Sequence, residues 1–261
     1  MTESVLDKAH AAMEADPDNG SARLKFFERL ADSEVFVLLD GEPDGDQINP
    51  QVFPVEDQRF VLLFDREERL TRFAGGPADY VGLSGRKAME MLSGQNLGVG
   101  LNLDVAPSSM LLPADAINWL ASTLAGEAQE IDEQPQEITA PTGLPDAILS
   151  ALDEKLAMAG GMASFAYLAG VTYKGGRKSH LLAFIDTRNG AEPALAAAVR
   201  EALVFSGIDA GELDVAFFRA SEPMAATLAR HGLRFDLPEP GEPTPAPSMP
   251  GMNPEKPPIL R

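Results

Sequence analysis

The segment Leu97-Gly-Val-Gly-Leu-Asn-Leu-Asp-Val-Ala-Pro107 constrains the fold of this chain most tightly. An apolar strand runs straight into a polar Asn-x-Asp and then a proline, which cannot donate to a sheet ladder. A second apolar stretch and a helix follow in Met110-Leu-Leu-Pro-Ala-Asp-Ala-Ile-Asn-Trp-Leu120. Pro113 is expected at the first helical position, where its missing N–H is no loss. Asn102 and Asp104 are thereby set at a strand end. Asn there ordinarily satisfies local turn N–H groups, and ligand sites in sheets gather at the same place.

Helical spacing of apolar residues predicts helices over 4–15, with Val5, Leu6, Ala9, Ala12 and Met13 on one stripe, and over 21–31, with Leu24, Phe26, Phe27 and Leu30. Strands are expected at Val35–Leu39, Arg59–Asp65, 97–103 and 109–112, with helices from Glu67 and from Ser84 to Leu92. Asp65 followed by Glu68 suggests a capping arrangement. The second half reads as helix 144–158, strands 164–173 and 179–185, helix 191–206, strand 213–218 and helix 222–231. Gly175-Gly176 supplies the positive φ of a tight hairpin turn. Adjacent antiparallel strands with helices between later ones predict an α+β protein, since a doubly wound parallel sheet needs a crossover between every pair.

The expected organisation is two tandem α+β domains, with mixed or antiparallel sheets flanked by helices, at 1–125 and 144–236. Between them, 126–143 carries five acids, no base and two prolines, and reads as an acidic linker. From 237 to 261 proline density blocks both helix and ladder, which predicts an extended, disordered tail.

Charge and cysteine content exclude whole classes of chemistry. The net charge is −19, and residues 1–125 hold 21 acids against 10 bases, the reverse of a phosphate-neutralising surface. No nucleic acid partner is expected. The absence of cysteine removes thiolate nucleophiles, disulfides, iron–sulfur clusters and thiolate zinc sites. No apolar run approaches the roughly 20 residues that span a bilayer, and Met1-Thr-Glu-Ser-Val-Leu-Asp7 lacks a secretory start. The expectation is a cytoplasmic location with no membrane partner.

Motifs for reactive sites fall short. Gly82-Leu-Ser-Gly-Arg-Lys-Ala88 lacks the first glycine and the hydroxyl residue of a phosphate loop, and Gly98-Val-Gly100 has no third glycine. Asp40, Glu42, Asp44 and Gly45 fit the opening of a calcium loop, but Gln51 replaces the closing carboxylate and a strand precedes it. His10, His180 and His231 have no metal-ligand spacing, and no Gly-x-Ser-x-Gly is present. Strand-end Asp65, Asp104 and Asp186 are better explained as caps or turn formers than as acids and bases. Lys174, Arg177, Lys178 and His180 form a basic hairpin in an acidic chain, suited to an anion or simply to solvent.

Together these segments resemble the enhanced-serine-sensitivity proteins, SseB. Phe26-Phe-Glu-Arg-Leu30 with Ser33-Glu-Val-Phe-Val37 resembles the family's opening. Phe60-Val-Leu-Leu-Phe-Asp-Arg-Glu-Glu-Arg-Leu70 is similar to its apolar strand and following helix, and Gly94–Asn102 through the Pro113 helix to its strand–Asn–strand–helix block. Phe165-Ala-Tyr-Leu168, His180–Asp186 and Leu213-Asp-Val-Ala-Phe217 resemble the family's separate C-terminal domain, whereas Leu233-Arg-Phe-Asp236 departs from its aromatic-rich ending. The resemblance implies a bacterial cytosolic protein of two α+β domains, and it transfers no catalytic residues.

The resulting expectation is a non-catalytic interaction or regulatory protein, with a protein partner or self-association and no cofactor or metal. Two alternatives stand beside it. One is a binder of an amino acid or anion through Asn102 and Asp104 or through Lys174, Arg177, Lys178 and His180. The other is a hydrolase using the strand-end Asp residues.

Overall fold

The computed structural model describes residues 3–42, 48–126, 133–207 and 213–239. The first stretch of elements is α1 (Val5–Ala15), α2 (Gly20–Asp32), β1 (Glu34–Leu38), β2 (Val52–Val55), β3 (Gln58–Phe64) and α3 (Glu67–Ala74). Then come β4 (Tyr80–Ser84), α4 (Gly85–Leu92), β5 (Gly98–Leu101), β6 (Met110–Leu112) and α5 (Ala114–Leu124). The remainder is β7 (Pro135–Thr139), α6 (Asp146–Leu156), β8 (Phe165–Tyr173), β9 (Lys178–Ile185), α7 (Glu192–Ser206), β10 (Leu213–Phe218), α8 (Pro223–His231) and β11 (Leu233–Asp236). The fold is α+β with two mixed sheets, as the strand and helix order predicts.

The described residues divide into two compact units. The first comprises those of Met1–Gln134, Gly143–Leu152 and Pro193–Glu212, and the second those of Pro135–Thr142, Asp153–Glu192 and from Leu213 onward. Most of α7 thus groups with the first unit, although its sequence neighbours β9 and β10 lie in the second.

The sheet of the first unit runs β4-β1-β3-β5-β6, with β2 also pairing β3. β3 and β5 are parallel and the other pairs antiparallel. Alternate residues explain why β3 reads as an unbroken apolar run. Val61 and Leu63 join Val35, Val37, Val99 and Leu101 in a core with Leu6, Phe26, Leu30, Met89 and Ile117. Leu62 and Phe64 join Leu38 and Leu70 on the opposite face. A strand covered on both faces has no polar side to show.

Local chemistry sets the helix starts. Ser4 and Asp7 form a reciprocal capping box, Asn19 accepts from Ala22 N–H, and Ser84 accepts from Lys87 N–H. The α4 start lies so close to α2 that a Cβ on Gly85 would stand 1.8 Å from the Leu30 carbonyl oxygen. Only glycine fits there. Pro113 is the residue before α5 rather than its first, a shift of one position.

The second unit's sheet runs β10-β9-β8-β11, with β7 also on β8. β8 and β9 form a hairpin whose Gly176, at φ 81, donates to Tyr173 O, and β9 and β10 are parallel. Ala225 and Leu228 of α8 pack on Tyr167, Ala169, Val171, Leu181, Ala183 and Ile185.

Two of the expected boundaries shift, and part of a third segment lies outside the described residues. Within the stretch expected as a linker, Pro135–Thr139 is a strand paired with β8; Ile138 packs on the core and Pro135 sits at the strand's first residue, where no ladder bond is lost. Residues 127–132 lie outside the described ones. The segment expected as tail begins with Leu237 buried and Pro238 O accepting from Gly161 N–H at 3.0 Å, and residues 240–261 lie outside the described ones. Asp44 and Gly45 of the calcium-like loop are also outside them; the flanks close through Asp40 N–H to Asn49 O and Gln51 N–H to Leu38 O.

Candidate functional site

The carboxyl ends of β3 and β5 point the same way because the strands are parallel, and ligands of such sheets sit beyond these ends. Asp65 follows β3 and Asn102 follows β5. Asn102 takes φ 48, a left-handed conformation that Asn tolerates better than most residues. Its N–H donates to Leu63 O at 2.9 Å, its Oδ1 accepts from Asp65 N–H at 3.1 Å, and its Nδ2 donates to Ser108 Oγ at 2.9 Å.

Ser108 passes the connection to α1. Its Oγ donates to Asp7 Oδ1 at 2.6 Å and its N–H to the same oxygen at 3.3 Å. Ser4 N–H donates to Asp7 Oδ2 at 2.9 Å. From α3, Arg69 Nη1 donates to Asp7 Oδ1 at 3.1 Å and Nη2 to Asp7 Oδ2. Arg69 Nη1 also reaches Asp65 Oδ1 at 2.8 Å.

This whole set is interior. Asp7 and Arg69 are 1% exposed, and Asn102 and Ser108 are 0%. Burial alone would raise the Asp7 carboxyl, but the hydrogen bonds from Arg69, Ser108 and Ser4 outweigh it and hold that group well below the usual carboxylate range. Burial likewise disfavours the Arg69 cation, and the hydrogen bond and charge of Asp7, with the charge of Asp65, overcome it and raise its pKa. Among the described residues, Asp65 Oδ2 and Arg69 Nε have no hydrogen-bond partner. The arrangement can fasten α1, β3, α3 and β5 together. It presents no charged group to a substrate.

The sequence-expected residues separate. Asn102 is buried with both ends of its amide engaged by protein groups, which is not the position of a cleft-lining ligand residue. Asp104, at φ 58, is exposed; its N–H donates to Ser109 Oγ at 3.2 Å, and its carboxylate stays outside the Asp7–Arg69 network. Asp65 does not cap α3, whose N-cap is Arg66 without a side-chain bond, because its carboxylate is drawn to Arg69 one turn on. Asp186 accepts from Ala220 N–H at 2.9 Å, a loop-fastening role.

The basic hairpin is partly neutralised within its own unit. Arg177 lies 4.4 Å from the Tyr173 ring centroid and donates to Asp214 Oδ2 at 3.1 Å, and Tyr173 Oη donates to the same oxygen at 2.8 Å. His180 Nε2 is 3.0 Å from Thr142 O. Lys174 and Lys178 are exposed.

Sequence reasoning missed Asp7, Arg69 and Ser108. One signal was available: Arg69 shares the buried face of α3 with Leu70 and Phe73, and an arginine on an apolar stripe needs a buried anion. A second buried carboxylate, Glu201, is held by Arg86 at 2.6 Å, and Arg86 also reaches Asp32 at 3.2 Å. Elsewhere in the first unit an open groove of about 440 Å³ is lined by Leu38, Phe53 and Phe73, with Asp40 and Asp79. Among the described residues, no three His, Asp or Glu side chains are grouped to hold a metal ion. None of the described helices is long and apolar enough to cross a membrane.

Unit one is therefore an α+β domain whose mixed sheet is locked by a buried ionic network at its strand ends. Residues 6–119 match the model of the SseB protein N-terminal domain, and that match supports a relation of the first unit to the SseB family. Neither a curated protein nor a solved structure matches the chain.

Proposed function

We propose that this chain is a non-catalytic interaction or regulatory protein of the SseB family, acting in the bacterial cytoplasm, with the second unit as its SseB C-terminal domain. The observation that carries the reading is the fate of the strand-end polar residues. Asp65 and Asn102 lie where a sheet protein would present chemistry, and both are spent on holding the fold through Arg69, Ser108 and Asp7. A hydrolase would need such a carboxylate near a base in a water-shielded cleft. An anion binder would need the hairpin cations to converge, yet Arg177 is committed to Asp214. Contact with another protein asks for neither.

Native mass spectrometry of the full chain, isolated gently from its own cytosol, tests the reading. The expected spectrum contains a stoichiometric complex with protein, either another chain or a second copy. A stoichiometric small-molecule adduct in place of protein would contradict it.

A further inference from the structure

β10 ends the sheet of the second unit, and among the described residues no strand pairs with its outer side. An open edge presents a row of unpaired N–H and C=O groups to any extended chain, and natural proteins guard such edges with proline, charge or brevity. The other outer strands of this sheet are guarded. β7 carries Pro135 and Glu137, and β11 carries the exposed ions Arg234 and Asp236. β10 is Leu213-Asp-Val-Ala-Phe-Phe218, six residues without Pro, Lys or Arg, each of them partly exposed. Its one charge, Asp214, is answered from within the unit by Arg177 and Tyr173. The edge is apolar, neutral and long enough to pair.

We infer that β10 is a self-association edge, pairing antiparallel with β10 of a second copy to join two sheets into one. This rests on the interaction reading and names the partner. The middle of the strand is complementary to itself, with Asp214 and Phe218 opposing one another toward its ends. Antiparallel pairing across a two-fold axis normal to the sheet keeps each face on its own side, so residues of like parity must oppose one another. With Ala216 on the axis, a small residue meets itself and Val215 opposes Phe217 on both sides. β-branched–aromatic pairs of this kind favour an antiparallel ladder.

The chain's own proline-rich C-terminal stretch is a poor occupant, since proline cannot donate to a ladder. Six residues give about 20 Å of ladder, and the contact falls below the roughly 1,200 Å² of a stable complex, so the dimer is weak and concentration-dependent. With a net charge of −19 on each copy, added salt screens repulsion and tightens it. A basic partner would respond in the opposite sense.

Sedimentation equilibrium of the full chain from 1 to 500 µM, at low and high salt, reads this directly. The expected result is a monomer–dimer equilibrium that tightens with salt, with a dissociation constant raised at least tenfold in Val215→Lys while circular dichroism stays native. The chain has no cysteine, so Ala216→Cys gives a clean second readout: mild oxidation should yield a covalent dimer, and Lys174→Cys at the hairpin turn should not. A monomer throughout, or a dimer that Val215→Lys leaves unchanged and Ala216→Cys fails to trap, overturns the proposal. If the chain is monomeric yet native spectra hold a different protein, self-pairing falls and the interaction reading survives. A stoichiometric small-molecule adduct without protein removes both.

Discussion

Arg69 grips the carboxylate of Asp7 with both terminal nitrogens across 62 residues of sequence, fastening the first helix to the third inside the protein. Losing Asp7 leaves Arg69 with Asp65 alone, and losing Arg69 leaves the buried Asp7 charge with only the Ser108 and Ser4 donors. Asp7→Ala should therefore cost about 3–5 kcal/mol, the range for breaking one side of a buried ion pair. Urea unfolding followed by Trp119 fluorescence measures this, since the single tryptophan stands edge-on to Phe27 and Phe205 of the same unit and loses those contacts on unfolding. Arg69→Ala in the Asp7→Ala background should add less than it costs alone.

Acid should act through the same carboxylate. The folded-state pKa of Asp7 lies below its ordinary value of 3.8, so its contribution is fully present above that value and is lost as pH falls through the folded one. Urea midpoints between pH 7 and pH 2 should drop in the native chain. Asp7→Asn should start lower and fall less steeply below pH 4.

Removing Asp7 should leave a space shaped for a carboxylate, faced by Arg69, Ser108 and the Ser4 N–H. Formate or acetate is expected to raise the melting temperature of Asp7→Ala and leave that of the native chain unchanged, with chloride at equal ionic strength as control. At tenfold excess over the dissociation constant the gain is about 1.4 kcal/mol. Equal responses in the two proteins would assign the effect to general salt stabilisation.

Gly85→Ala should fail to fold or lose more than about 4 kcal/mol, because its Cβ would collide with the Leu30 backbone oxygen rather than a movable side chain. Native circular dichroism with an unchanged urea midpoint would show that the α2–α4 approach is looser than described.

Much of the fold was legible because burial writes a period into the sequence. β3 read as a strand from its apolar run, and α4 from Ser84 and its apolar stripe. β2, β4, β7 and β11 escaped notice. Each is a short outer strand carrying proline, glycine or charge, such as Pro54, Gly82, Glu137 and Arg234, and these residues signal loops while serving as edge protection. The strand-end site was half legible. Asn102 stood out by its place after β5, but Asp7 and Arg69, which complete the network through Ser108 and Asp65, come from distant segments that only the tertiary fold brings together. Asp65 drew attention as a cap because Glu68 follows it at the right spacing. A buried guanidinium one turn away outcompeted that local bond.

Asn102 decides between a fold-holding and a ligand-holding role at the strand ends. Urea unfolding of Asn102→Ala is predicted to show a loss of at least about 2 kcal/mol, since both its amide partners are left buried and its left-handed backbone is disfavoured for alanine. Asp104→Asn, exposed beside it, should stay within about 0.5 kcal/mol of the native chain. An Asn102→Ala protein as stable as the native one would contradict the account.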